Sequence, residues 1–290
     1  MEFLSYLISG ISLGSIYAII ALGYTMVYGI AKMLNFAHGD VIMVGGYISF
    51  CAVSYLGLPG WLSVIIAMAV CTVLGIVIEG LAYKPLRQAT SLAVLITAIG
   101  VSYFLQNAAL LIWGASPKVY TPIVAGQIAM GDLKVSWVTI VTVIACIIIA
   151  AGLTIFTSRT KMGKAMRACS EDKGAAQLMG INVNRTISTT FAVGSALAAI
   201  AGVLLCSFSP SLMPTTGSMP GIKAFTAAVF GGIGSIPGAF LGGILLGVIE
   251  SLAKAYISTQ LSNAILFAVL IVVLLVRPSG LLGKYVPEKV

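Results

Sequence analysis

RTKMGKAMRACSEDKGAAQLMGINVNR, residues 159–185, is too polar to sit in lipid, whereas almost everything else in the chain is apolar enough to do so. The interval holds six basic residues (Arg159, Lys161, Lys164, Arg167, Lys173 and Arg185) and two acids (Glu171 and Asp172). Loops this rich in Lys and Arg stay on the cytoplasmic side, so the interval orients the chain. It also reads as holding a short helix over Ser170–Gly180. Ser170 suits an N-cap, because its hydroxyl can accept a free N–H of the first turn. Glu171 and Asp172 then fall where the helix dipole favours negative charge. Gly180 suits the left-handed residue that closes a helix. Ala175, Leu178 and Met179, at i, i+3 and i+4, share one apolar face. Such a face suits docking into a groove on another protein, with Lys173 solvated beside it. The plainer alternative is a positive loop that only sets topology.

Outward from this loop, composition agrees. The chain has 290 residues, 59% of them hydrophobic and 8% charged, with mean hydropathy +1.09. A soluble domain carries roughly a quarter charged residues. The expected fold is therefore an all-α polytopic membrane protein, with the whole chain, 1–290, forming one transmembrane domain. The net charge of +8 is no sign of nucleic acid, since the basic residues collect in this loop and at span ends. The five cysteines form no close pair, which gives neither a disulfide framework nor zinc spacing. The amino-terminal segment lacks a basic n-region, and its apolar run is too long for a cleaved signal peptide.

Spans are expected at 3–30, 41–58, 61–83, 92–113, 135–157, 186–208 and 257–276. Gly10 and Gly14 make a small-xxx-small pair for close helix approach. The interval 224–253 is too long for one plain span, and Gly231–Gly238 interrupts it, so it reads as a broken pair with a short first limb. Irregular backbone at membrane depth survives only under protein cover or beside water. With 159–185 inside, the Lys84/Arg87 turn is inside and Lys118–Lys134 outside. Eight spans would leave Arg277, Lys284 and Lys289 outside; nine put them inside, and the positive-inside rule favours nine.

Polar residues within this apolar frame are the candidates for a translocation path. Asn35, His38 and Asp40 follow the first span, either as a break lining the path or as an ordinary interfacial turn. Gln106 and Asn107 lie mid-span, as helix-bonding amides or as pore-facing groups. Gly231, Gly234 and Gly238 either bend or gate the path, or let helices pack closely. Glu79 and Glu250 are the carboxylates within spans, near enough to the ends to reach headgroups.

Several of these stretches resemble the LivH-type permease family of bacterial branched-chain amino acid ABC importers. They are Gly23–Gly29 with Asn35–Gly39, Met162–Asp172, Met179–Asn182, Lys223–Val229 and Gly231–Ala239. The resemblance covers nearly the whole chain. It implies a subunit of the bacterial inner membrane that pairs with a second, homologous permease, two cytoplasmic ATPases and a periplasmic amino-acid-binding protein. It also implies that the loop holds the helix that meets an ATPase, with Arg167, Ser170, Glu171, Asp172, Ala175, Leu178, Met179 and Gly180 in it. No G-x-x-x-x-G-K-[ST] occurs, because Ala165 follows Gly163-Lys164 and Tyr285 follows Gly283-Lys284. No catalytic or metal site is expected; ATP would be bound by the partners. Relatives of this permease type also carry other amino acids, urea or short amides. A secondary transporter would need ion-binding groups and repeated halves, and neither is evident.

Overall fold

A computed structural model describes residues 2–130 and 133–283 of the chain. Lys284 and Lys289, which enter the charge count, lie outside the described residues. Six helices are long and apolar enough to cross a membrane. They are α1 (Glu2–Ala31), α3 (Gly60–Ile78, continuing to Leu86), α4 (Ser91–Trp113), α5 (Trp137–Arg159), α8 (Val183–Phe208) and α10 (Ile236–Tyr256). Three shorter helices lie among them: α2 (His38–Ser54), α9 (Ser218–Gly231) and α11 (Ser262–Val276). Two more, α6 (Lys161–Glu171) and α7 (Lys173–Leu178), form the basic loop. The molecule is an all-α polytopic membrane protein.

The helices begin where local chemistry permits. Side-chain oxygens of Thr90, Ser136, Thr160, Asn182 and Ser235 accept first-turn N–H groups of α4, α5, α6, α8 and α10. The most extensive seam is between α1 and α10. A Cβ on Gly14 would lie 2.7 Å from Ile244 Cα, and one on Gly247 would fall on the backbone of Gly14. The Gly10/Gly14 pair therefore serves the close approach its spacing predicts. Gly243 meets Ala18 in the same way.

One end of the bundle gathers the basic residues. The Lys173 ammonium donates to the Ala31 carbonyl at the end of α1, and Arg87 bonds Asn184 at the start of α8. Leu281 and Leu282 donate to the carbonyls of Phe230 and Gly231, which brings the segment after Arg277 to this end. The opposite end carries Tyr6 against Tyr256 and two short antiparallel pairs. These are Lys118–Val119 with Ser211–Leu212, and Gln127–Met130 with Leu133–Ser136. Among the described residues, the six long helices and α11 run between the ends, while α2 and α9 cover only part of the depth. The bonds of 281–282 put the segment after Arg277 with the other cations, on the side the nine-span count expects.

Two expectations about irregular backbone are corrected. The break at membrane depth is not at Gly231–Gly238. That run is a turn at the basic end, where Gly231 and Gly238 pack backbone to backbone and Gly234 takes a left-handed φ of +93°. Gly234 has no neighbour that a Cβ would meet, so of the three only Gly231 and Gly238 serve close packing. The deep breaks are instead 32–37 and 209–217. His38 opens α2 beside Gly23 of α1 and Gly194 of α8. Eight residues separate Gly23 from the end of α1, and eleven separate Gly194 from the start of α8. At 1.5 Å per residue, His38 lies about 12–17 Å inside. The first turn of α9 meets α2 there, with Gly217 and Gly221 against Gly39. Two helices thus start near mid-depth and run to opposite ends.

Candidate functional site

The mid-depth meeting point is polar and covered by protein. His38 and Asp40 are 1% and 2% exposed, so neither is an interfacial turn residue. Asp40 Oδ1 accepts from Gln106 Nε2 at 2.9 Å, and the same amide reaches Ser102 and Ser218 at 3.3 Å. Gln106 therefore joins α4 to the starts of both α2 and α9. A carboxylate at the first turn of α2 also meets that helix's positive end. Asn107 points away, and its amide donates to the Tyr103 carbonyl one turn back. The buried Asn35 accepts from Tyr83 Oη at 2.8 Å, which fixes the 32–37 segment to the end of α3. His38 fills the notch left by Gly23 and Gly194, its ring 4.6 Å from that of Tyr24, and its Nε2 has no hydrogen-bond partner. The structure thus brings Asp40, Gln106 and His38 to one depth. It places Gly231, Gly234 and Gly238 apart from them, at the basic end.

Below this level, Tyr24, Val27, Tyr28, Phe225, Ala228 and Ile233 line a small apolar cavity of ≈ 10 Å³. Met33, Leu34 and Asn35 complete its lining.

At the basic end the loop differs in detail from its sequence reading. Thr160, not Ser170, starts the first helix: its hydroxyl accepts from Gly163 N at 2.9 Å, and α6 then runs through Glu171. Ser170 lies in the last turn of α6 and donates back to the Arg167 carbonyl. Arg167 in turn donates to the Ser158 carbonyl at the end of α5. Asp172 caps α7, accepting from Gly174 N and Ala175 N at 2.7 and 3.0 Å. Gly180, at φ +81°, closes it as expected. Ala176 faces inward, while Ala175, Leu178 and Met179 stay exposed, the last two at 90% and 82%. The apolar face is therefore uncovered in the chain alone. Lys173 is not solvated as its sequence context suggests. It is half-buried, with Nζ 2.7 Å from the Ala31 carbonyl. Burial lowers its pKa from the usual lysine value, and the charges of Arg87 and Lys32 act the same way.

Two ionic clusters escaped the sequence reading. Glu250 is fully buried rather than reaching headgroups. Its carboxylate accepts from Lys223 Nζ at 2.7 Å, Lys254 Nζ at 2.6 Å and Tyr17 Oη at 2.9 Å. Glu79, also buried, pairs with Arg87 and accepts from Ser188 Oγ. It begins a π-helical turn in the extension of α3, a local widening common at functional positions. The four-residue spacing of Glu250 and Lys254 was the one available signal; Lys223, 27 residues before Glu250, gave none.

A polytopic helical bundle with inward-turned polar groups and broken helices meeting at mid-depth belongs to the transporter class of membrane proteins. Within that class, this chain belongs to the family described as branched-chain amino acid transport system / permease component, whose model matches residues 6–274. It is 45% identical over 302 residues to the high-affinity branched-chain amino acid transport system permease protein BraD of Pseudomonas aeruginosa. That match covers 100% of this chain and 98% of the relative. Identity to the corresponding LivH of Escherichia coli is 46% over 303 residues, with the same coverage. A probable LivH of Methanocaldococcus jannaschii is 30% identical over 79% of this chain and 74% of its own length. PsaBC from Streptococcus pneumoniae in complex with Fab gives a TM-score of 0.48 at 16% identity, covering 94% of this chain and 90% of that one. A likeness of that size bears on neither topology nor function.

Proposed function

We propose that this chain is a membrane-spanning subunit of an ATP-driven importer of leucine, isoleucine and valine in the bacterial inner membrane. The observation that carries the reading is identity across the full chain to BraD and LivH, named as high-affinity branched-chain amino acid permeases. A second, homologous permease, two cytoplasmic ATPases and a periplasmic amino-acid-binding protein complete the assembly. ATP is bound by the ATPases, since this chain has no P-loop lysine to hold phosphates. The exposed face of Ala175, Leu178 and Met179 docks an ATPase. Arg167, Ser170, Glu171, Asp172 and Gly180 shape and cap the helices that present it. His38, Asp40 and Gln106 mark the path at mid-depth, Asn35 lines it nearer the basic end, Asn107 packs outside it, and Gly231, Gly234 and Gly238 form the turn at its cytoplasmic end.

The test is uptake by the complete complex in proteoliposomes, with a panel of amino acids and urea. Uptake should require ATP on the basic side and prefer the three branched-chain substrates. Uptake that ignores nucleotide, or ATP hydrolysis by this chain purified alone, rejects the assignment. A preference for urea or another amino acid keeps the importer class and replaces the substrate.

A further inference from the structure

We propose that Lys173 is the positioning residue that carries movement of α7 into the helix break at 32–37. This rests on the reading of α7 as the ATPase-docking element. Three observations meet here. The Lys173 ammonium, half-buried at the start of α7, holds the Ala31 carbonyl, the last of α1, at 2.7 Å. A cation at that end also meets the negative pole of the α1 dipole. Next, Lys32 is the one non-glycine residue with positive φ (+57°) among the described residues, and its N–H closes the turn on the Tyr28 carbonyl. That left-handed conformation favours glycine and persists in a larger residue only where surroundings enforce it. Finally, the residues just beyond that turn, Met33, Leu34 and Asn35, form part of the wall of the small cavity beside Tyr24 and Phe225.

The geometry therefore makes a latch. With α7 seated, Lys173 fixes the end of α1, the turn at Lys32 keeps its left-handed form, and 33–35 stay in the cavity wall. When an ATPase moves α7, the ammonium leaves the carbonyl. Lys32 can then relax toward an ordinary backbone conformation, and the cavity wall formed by 33–35 shifts. The docking face itself, Leu178 and Met179, is separate from this contact. Holding the ATPase and transmitting its stroke are thus functions of different residues.

The experiment uses the complete complex in proteoliposomes and compares wild type, Lys173→Met and Lys173→Arg. It measures ATPase retention, ATP hydrolysis, uptake per ATP hydrolysed, and maleimide labelling of a Leu34→Cys variant with and without nucleotide. Lys173→Met should keep the ATPases bound and hydrolysing while uptake per ATP falls at least tenfold. Lys173→Arg, which keeps a cationic donor, should restore most of it. Nucleotide should change Leu34→Cys labelling in the wild-type background and leave it unchanged with Lys173→Met. The proposal is overturned if Lys173→Met keeps its uptake per ATP, loses the ATPases, or still shows the nucleotide response at Leu34→Cys. A wild-type complex without ATP-driven uptake rejects the importer reading itself, and the latch with it.

Discussion

Glu250 accepts from two ammonium groups and a phenol while fully buried between α1, α9 and α10. Removing one member of a buried ionic cluster strands the others, at a cost of about 3–5 kcal/mol. Glu250→Ala should therefore lower the thermal unfolding midpoint in detergent sharply. Adding Lys223→Met should recover much of the loss, because Lys254 is exposed enough to reach water. The check is fluorescence-detected gel filtration after heating; equal midpoints for Glu250→Ala and wild type would show that the cluster does not hold the helices together. The sequence placed both glutamates in spans but near headgroups. Distance along a helix gives depth, while the angle toward the core depends on partners such as Lys223 that only the tertiary fold brings close. The same reason explains Lys173. Its acceptor is a main-chain carbonyl 142 residues away, and no side-chain pattern announces it.

At the scale of elements, α7 and the α1–α10 seam make separable demands. Leu178→Asp sets a carboxylate on the exposed apolar face. Left unpaired in a closed contact it costs several kcal/mol, and roughly 1.4 kcal/mol is tenfold in an equilibrium. The ATPases should be lost on co-purification while the permease still inserts and folds; full retention and uptake would move the docking face elsewhere. Gly247→Leu drives a side chain into the Gly14 backbone and should cost at least the ~1–3 kcal/mol of ordinary overpacking. Gly100→Leu, on α4 where nothing lies near, should be silent. The comparison is the folded yield of the two variants in the same detergent. The apolar face of α7, its closing glycine and the Gly10/Gly14 seam were all legible, because each is a local spacing. The start of α7 was misplaced because Ser170 and Asp172 are both good caps. Thr160 settles the contest: it starts α6 early enough that Ser170 falls in its last turn, which leaves Asp172 free.

For the whole molecule, the collection of cations at one end predicts which sites an impermeant thiol reagent can reach. Single cysteines replacing Ser116 and Ser211 should label from outside, whereas those replacing Ser158, Ser170 and Ser279 should not. Outside labelling at Ser279 would sink the nine-pass arrangement. Charge sufficed to order these passes from sequence, since the positive-inside rule sums over loops and needs no contacts. It could not place the breaks. The polar residues at 35–40 look like any interfacial turn until α1, α8 and α9 are seen to cover them. The glycine run at 231–238 looks like a deep break until it is seen to be a turn beside 280–283.

The α1–α10 seam also constrains how the protein is made. Gly14 and Gly247 touch, yet 233 residues separate them, so at about 5–20 residues per second the first leaves the ribosome some 10–50 s before its partner exists. Throughout that interval α1 must wait in the membrane with its glycine stripe uncovered, and the 32–37 backbone must wait for α9. A nascent chain halted before α10 therefore leaves this one face of α1 without its partner, and that seam closes only when the final helices are made.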